Sequence, residues 1–236
     1  MIKVVEFNGR KIEIEIASTK SLRSSVKIKN GKVMMNLSRL LMGRKRVETI
    51  DKFLTWADKR LAKVTNDFVL PVYESGGVVL THNKMYSIVV EESRHQRLRT
   101  SVSAGGEILL QVPLTYPLTA AKLKDLVEKI IIKDQAGYLC ETIDELNQLY
   151  FQEQYNSSRF KRTKSRFGSC SSKRNINIAY RLLFAPREVF RYVCVHELAH
   201  LKEMNHSKRF WAHVSCAMPE YKEHEKWLRD SGFMLG

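Results

Sequence analysis

His196-Glu197-Leu198-Ala199-His200, with His206 six residues further on, is the stretch from which the rest of this chain is read. On a helix, side chains at i and i+4 share a face, so the imidazoles of His196 and His200 point at one place. Glu197 lies one position along, close enough to hold a water there without itself binding an ion. His206 can fold back as a third ligand once the helix ends. Three protein ligands and one open position mark a catalytic zinc site, whereas a structural site is closed by four. The pattern predicts Zn2+ held by His196, His200 and His206, with Glu197 as catalytic base of a zinc-dependent hydrolase.

The flanking residues supply the helix this reading needs. Pro186 suits a first helical position and Glu188 the first turn. Val189, Tyr192, Val193, His196 and His200 then fall on adjoining faces, and the helix is expected to end near Met204-Asn205. Phe210-Trp211 opens another helix, and Pro219 starts a last one reaching Trp227. Upstream, 160–169 and 176–184 read as two strands joined by Ser171 to Asn175. The second of these is placed to hold an extended peptide by strand addition.

Further upstream the chain reads as a repeat. Ser21-Leu22-Arg23-Ser24-Ser25-Val26 lines up with Arg97-Leu98-Arg99-Thr100-Ser101-Val102 at an offset of 76 residues. Each copy starts with an alternating strand, Ile12 to Ile16 or Tyr86 to Val90. A basic strand follows, then a turn at Asn30-Gly31 or Gly105-Gly106, then a third strand. A helix closes each unit. The first carries Ile50, Phe53, Leu54, Ala57 and Leu61, and the second runs from an N-cap at Thr119 towards Tyr150. The fold class expected is α+β, with duplicated small β-β-β-α units over 1–74 and 75–155. A zincin-like catalytic region over 156–236 follows, with its HExxH helix and C-terminal covering helices.

Composition sets the outer bounds. The 236 residues, 44% hydrophobic and 9% aromatic, describe an ordinary globular protein. No apolar run is long enough for a membrane span, and the N-terminus has no secretory leader. Cys140, Cys170, Cys194 and Cys216 are scattered without C-x-x-C pairing, which suits reduced thiols in a cytoplasmic protein. Forty Lys and Arg against 25 Asp and Glu leave a net charge of +15. That excess favours anionic partners, nucleic acid or nucleotide among them, through clusters at 44–46, 94–99 and 161–166.

Several segments together resemble a known family. Arg166-Phe167-Gly168-Ser169-Cys170-Ser171-Ser172-Lys173, Asn175-Ile176-Asn177-Ile178, Arg181-Leu182 and Ala185-Pro186 are similar to the YgjP-like metallopeptidases, relatives of the SprT-like and WLM zinc peptidases. So are Val195 to Lys202, Asn205-His206-Ser207 and Phe210-Trp211. The likeness runs over about 85–236 and is dense over 160–212, making 75–236 one domain of that kind. It implies a zinc peptidase acting on polypeptide, with His196, His200 and His206 as ligands and Glu197 as base. Phe167 stands where Trp is usual, and the copy over 1–70 is additional.

Other assignments stay open at this stage. In gluzincins the third ligand is a Glu on a later helix, and Glu220, Glu223 and Glu225 lie at that separation. Metzincins share the histidine spacing but put Gly where this chain has Glu203. Tyr180, Arg181 and His213 are candidate oxyanion donors, His213 and His224 also read as exposed helix residues, and Cys170 reads as a buried structural thiol. The expected reaction is Glu-assisted attack of zinc-activated water on a peptide bond. The alternatives are a metal-dependent nucleotide phosphohydrolase (a pyrophosphatase) and a nucleic-acid-associated metalloprotein without turnover.

Overall fold

Alternating apolar and polar side chains build a four-stranded sheet from the first part of the chain. The computed structural model describes residues 2–7, 10–29, 32–62, 71–163 and 165–235. In it β1 (Ile2–Phe7), β2 (Arg10–Thr19), β3 (Ser25–Lys29) and β4 (Lys32–Ser38) lie in the order β1-β2-β4-β3. β2 and β4 run parallel, and the outer pairs are antiparallel. Ile12, Ile14, Ile28, Val33 and Met35 pack together with Ala57 and Leu61 of α1 (Gly43–Leu61). Ile50, Phe53 and Leu54 flank this core, so the helical spacing read in the sequence is the packed face.

A second sheet contains β5 (Val78–Leu80), β6 (Met85–Ser93), β7 (Arg99–Val102) and β8 (Glu107–Pro113), in the order β5-β6-β8-β7 with the central pair parallel. Each sheet holds four strands where three were expected. The addition is an edge strand ahead of the alternating one, and β5 is too short, at 3 residues, to show a period. Register differs from the expectation as well. Ile14 pairs with Val33 as Ile88 pairs with Ile108, which puts corresponding residues 74 and 75 apart and not a constant 76. An odd slip exchanges faces: a constant offset sets buried Val33 against half-buried Leu109, while the strands match it to buried Ile108. Gly106, with φ +91°, has no room for a side chain, because a Cβ would lie 2.1 Å from the Met85 carbonyl oxygen. The Asn30-Gly31 turn and Lys164 of the third basic cluster lie outside the described residues.

Thr119 caps α2 (Ala120–Asp134), its hydroxyl accepting from the Lys122 N–H at 3.3 Å. The helix expected to run on towards Tyr150 is interrupted. α3 (Ala136–Leu146) starts afresh after Gln135 and ends in a π turn over Asn147–Phe151. Gln135 is buried at the break, donating to the Tyr86 hydroxyl at 2.6 Å and accepting from the Asn83 amide at 2.8 Å. A third sheet then forms from β9 (Ser157–Lys161), β10 (Gly168–Cys170) and β11 (Asn175–Ala179), in the order β10-β11-β9.

Two strand expectations are corrected here. The 160–169 segment is the end of β9, a connection and the start of β10. Residues Tyr180–Phe184 form a 3-10 turn that buries the consecutive Leu182 and Leu183, which an alternating strand facing solvent on one side cannot do. β11 is central, with β9 and β10 on either side, so it has no edge for an added peptide. α4 (Arg187–Ala199), α5 (Lys208–Ala217) and α6 (Tyr221–Ser231) complete the chain. α4 stops earlier than expected, at Ala199, although His200 keeps helical angles as its cap.

Contacts divide the chain into two compact units, Met1–Phe68 with Lys226–Gly236, and Val69–Glu225. The last segment therefore returns to the first unit: Met234 is buried in its core and Phe233 packs beside it. Arg60 stacks on Phe233 at 5.0 Å and donates to the Arg229 carbonyl at 3.0 Å. Among the described residues no helix is long and apolar enough to cross a membrane.

Candidate metal centre

α4 is a buried helix, and its burial is what makes the motif rigid. Val189, Phe190, Val193, Cys194, Val195, Leu198 and Ala199 are all enclosed, and Phe190 stacks on Tyr138 of α3 with ring centroids 5.6 Å apart. Arg191 grips Glu145 of α3 with two hydrogen bonds, at 2.9 and 3.0 Å. From this fixed axis His196 and His200 project one turn apart, with ring centroids separated by 5.1 Å. The turn after α4 then brings back His206. The Asn205 side chain accepts from the Ser207 N–H at 3.0 Å, and Ser207 caps α5 through the Phe210 N–H at 3.4 Å. The third histidine thus sits between two locally satisfied polar residues.

The three rings converge. His206 Nε2 lies 3.0 Å from His196 Nε2, and one ligand atom from each of the three histidines falls within 4.8 Å of the others. Tetrahedral zinc with nitrogen ligands separates those nitrogens by about 3.3 Å, so the cluster is close to what such an ion requires. His200 Nδ1 lies 3.2 Å from the Glu203 carbonyl. A carbonyl only accepts, so the proton is on Nδ1 and the Nε2 lone pair is left for an ion. Phe210, fully buried, contacts all three rings at centroid distances of 4.8, 4.6 and 4.7 Å. Among the described residues this is the group of His, Cys, Asp or Glu able to share an ion.

The electrostatics suit a cation. Burial, then repulsion from the other two imidazoles, lowers the pKa of His196 to about 3, and burial lowers that of His200. Both are neutral at ordinary pH, the form in which an imidazole can bind an ion. Glu197 is only 5% exposed, and burial raises its carboxyl to about 8, opposed by a hydrogen bond from the Cys170 N–H. These directions belong to the metal-free cluster, where nothing positive offsets desolvation.

β10 forms the opposite wall. Gly168 passes so close that a Cβ on it would stand 2.4 Å from Glu197 Oε1. Arg166, Gly168, Ser169 and Cys170 line one side of a cavity of about 270 Å³, and His196, Glu197, His200, Met204 and His206 line the other. β10 pairs with β11 on one side only, so its second edge is unpaired within the sheet.

The remaining sequence candidates fall elsewhere. Glu220, Glu223 and Glu225 are not grouped with the histidines. Tyr180, Arg181 and His213 do not line the cavity: Tyr180 donates to Glu128, and Arg181 stacks on Phe167 at 4.4 Å. That stacking needs only an aromatic face, which Phe167 supplies. His213 and His224 are half-buried and not exposed, and His224 packs against Tyr192 at 6.1 Å. Cys170 is half-buried in the cavity wall and not enclosed, with its thiol pushed up to about 11 by burial, so it is protonated and no nucleophile at neutral pH. Gly168 and Phe210 carry no ligating or titrating group, so nothing in the sequence marked their contact with Glu197 and the histidines.

No curated protein matches the chain. Among solved structures it is similar to the metallopeptidase zymogen of Pyrococcus abyssi abylysin, at 22% identity and a TM-score of 0.37, over 40% of this chain and 95% of that one. It is also similar to the metallopeptidase zymogen of Methanocaldococcus jannaschii jannalysin, at 22% identity and a TM-score of 0.34, over 39% of this chain and 93% of that one. The YgjP-like metallopeptidase domain matches residues 22–231, a stretch that starts well before residue 85 and includes β3 and β4 of the first sheet. The part of the chain read as additional is therefore largely inside the match. With β3 through α6 and all three clustered histidines covered, the chain belongs to the YgjP-like metallopeptidase family.

Proposed function

We propose that the protein hydrolyses peptide bonds, with a zinc ion held by His196, His200 and His206 and with Glu197 as the base. The observation that carries this reading is the triangle of imidazoles on a buried helix, with the Glu197 carboxyl facing the same cavity. Bound zinc supplies Lewis acidity, polarising a carbonyl and lowering the pKa of water towards about 7. Glu197 takes the proton from the attacking water and passes it to the leaving amine. The Cys170 N–H and the closely packed Gly168 hold that carboxyl in one place while it does so. The unpaired edge of β10 receives the polypeptide as an added strand beside the cavity.

A phosphohydrolase needs several cations around a phosphate chain. Apart from the histidines, Arg166 is the cationic side chain among the residues lining this cavity, which favours the neutral peptide bond over a nucleotide. The shared strand order of the two four-stranded sheets supports their origin as duplicated units. Four free cysteines support a cytoplasmic setting.

Elemental mass spectrometry on the full-length protein tests the site. Wild type is expected to carry about one zinc per chain, His206→Ala to lose it, and Glu197→Gln to retain it while peptide release falls at least about a hundredfold. Zinc kept in full by His206→Ala, or turnover kept by Glu197→Gln, overturns the assignment.

A further inference from the structure

The unit containing the first sheet carries a surface that the peptidase reading does not use. Between Lys20 and Val47 the chain has nine Lys and Arg, no carboxylate and no aromatic residue. Two loops of this stretch are tied side by side. The Arg39 N–H donates to the Thr19 carbonyl at 3.0 Å, and the Ser38 N–H to the Ser24 hydroxyl at 2.9 Å. Local bonds stiffen each loop: Ser21 N–H to the Thr19 hydroxyl and Arg23 N–H to the Ser21 hydroxyl, both 3.2 Å, and Leu40 N–H to the Ser38 hydroxyl at 3.3 Å.

The tips of these loops are aliphatic. Leu22 is 80% exposed, Leu40 73%, Met42 76%, and Val47, just past the first turn of α1, 58%. Arg23 and Arg39 are exposed among them. Exposed aliphatic side chains on two loops tied to each other and on the helix that follows, in a stretch of cations, indicate an interaction surface. The first turn of α1 adds Arg44, Lys45 and Arg46 and no acid, against the preference of a helix N-terminus, and of the three Arg44 is paired, with Glu48 at 3.1 Å. Nucleic acid is the poorer match, since the stretch has no aromatic residue on which the bases of a single strand would stack and its cations come with four exposed aliphatic side chains. A bilayer matches both features: apolar tips enter the acyl boundary while cations lie among phosphates.

We propose that these loops dock the protein peripherally on an anionic phospholipid surface, with Leu22, Leu40, Met42 and Val47 inserting and Arg23 and Arg39 at headgroup level. The inference is independent of the metal site.

Co-sedimentation of the full-length protein with vesicles of phosphatidylcholine, with and without phosphatidylglycerol, tests it. The protein is expected to pellet with the anionic vesicles, to stay in solution with the neutral ones, and to be released as salt shortens the screening length to about 3 Å near 1 M. Removing three charges in Arg23→Gln/Arg39→Gln/Lys45→Gln is expected to lower partitioning about a hundredfold, about fivefold for each. Leu22→Ser/Leu40→Ser/Met42→Ser is expected to lower it at least about tenfold while the charge is unchanged. Leu22→Ser alone, at a side chain that supports no packing, is expected to lower it severalfold and keeps the test open if the triple variant fails to fold. Absence of binding to anionic vesicles at low salt, or wild-type binding by both serine variants, overturns the proposal. So does charge-dependent uptake of duplex DNA without vesicle binding, which would make the surface a nucleic-acid site.

Discussion

Gly168 shows how a residue with no functional group governs one that has it. A Cβ there would lie 2.4 Å from Glu197 Oε1 and 2.7 Å from its Cγ, and Glu197, buried on α4, has little room to retreat. Gly168→Ala is expected to displace the carboxyl and lower kcat at least about tenfold, with zinc content unchanged by elemental analysis. Glu197 also leaves a signature in the metal-free protein. Its folded pKa is raised from 4.5 to about 8, so its contribution to stability is full below 4.5 and is lost as pH rises through about 8. His196 acts in the opposite sense, because its folded pKa falls from 6.5 to about 3, and its contribution is present above 6.5 and lost as pH falls through about 3. Between pH 6.5 and 8 the Glu197 effect stands alone of the two. Thermal unfolding in chelator is expected to fall across that window in wild type, and to lose this fall in Glu197→Gln. The residue types of the centre were legible from spacing alone, since i,i+4 geometry is local. Their burial, and hence their charge states, was not.

At the level of elements, α4, α5 and the turn between them form one device, and Phe210 is its packing post. The ring is fully buried and touches all three imidazoles, so Phe210→Ala removes both core volume and ligand orientation. The expected cost is about 3–5 kcal/mol in denaturant unfolding, with weakened zinc retention in a chelator competition. Unfolding at wild-type denaturant concentrations would show that the ring is not structural. Helices such as α1 and α4 were readable because their packed apolar residues recur at helical spacing, from Ile50 to Leu61 in α1 and from Val189 to Ala199 in α4. Tyr180–Phe184 was not, because a short, mostly apolar segment fits a strand as well as a tight turn until Leu182 and Leu183 are both found inside. The interruption at Gln135 was equally hidden. Its cause is hydrogen bonding to Tyr86 and Asn83, residues far away in sequence.

Over the whole molecule, the chain forms two compact units, one of them not contiguous in sequence, because Lys226–Gly236 belongs with Met1–Phe68. Met234 is 5% exposed in the core of that unit, among Ile12, Ile14, Val33 and Met35. Met234→Ala is expected to destabilise the unit by about 2–5 kcal/mol in denaturant unfolding and to leave the zinc content unchanged. Loss of zinc in that variant would contradict the separation of the two roles. Sequence by itself determined the alternation of the strands, the faces of the helices, the histidine spacing on α4 and the cationic excess, because each is read from the chain without its fold. The order of strands within each sheet, the free edge of β10 over Glu197, the ring of Phe210 beneath the histidines and the return of the C-terminal segment were decided only in three dimensions. Those features depend on which distant surfaces bury one another, and burial between remote segments leaves no period in the chain.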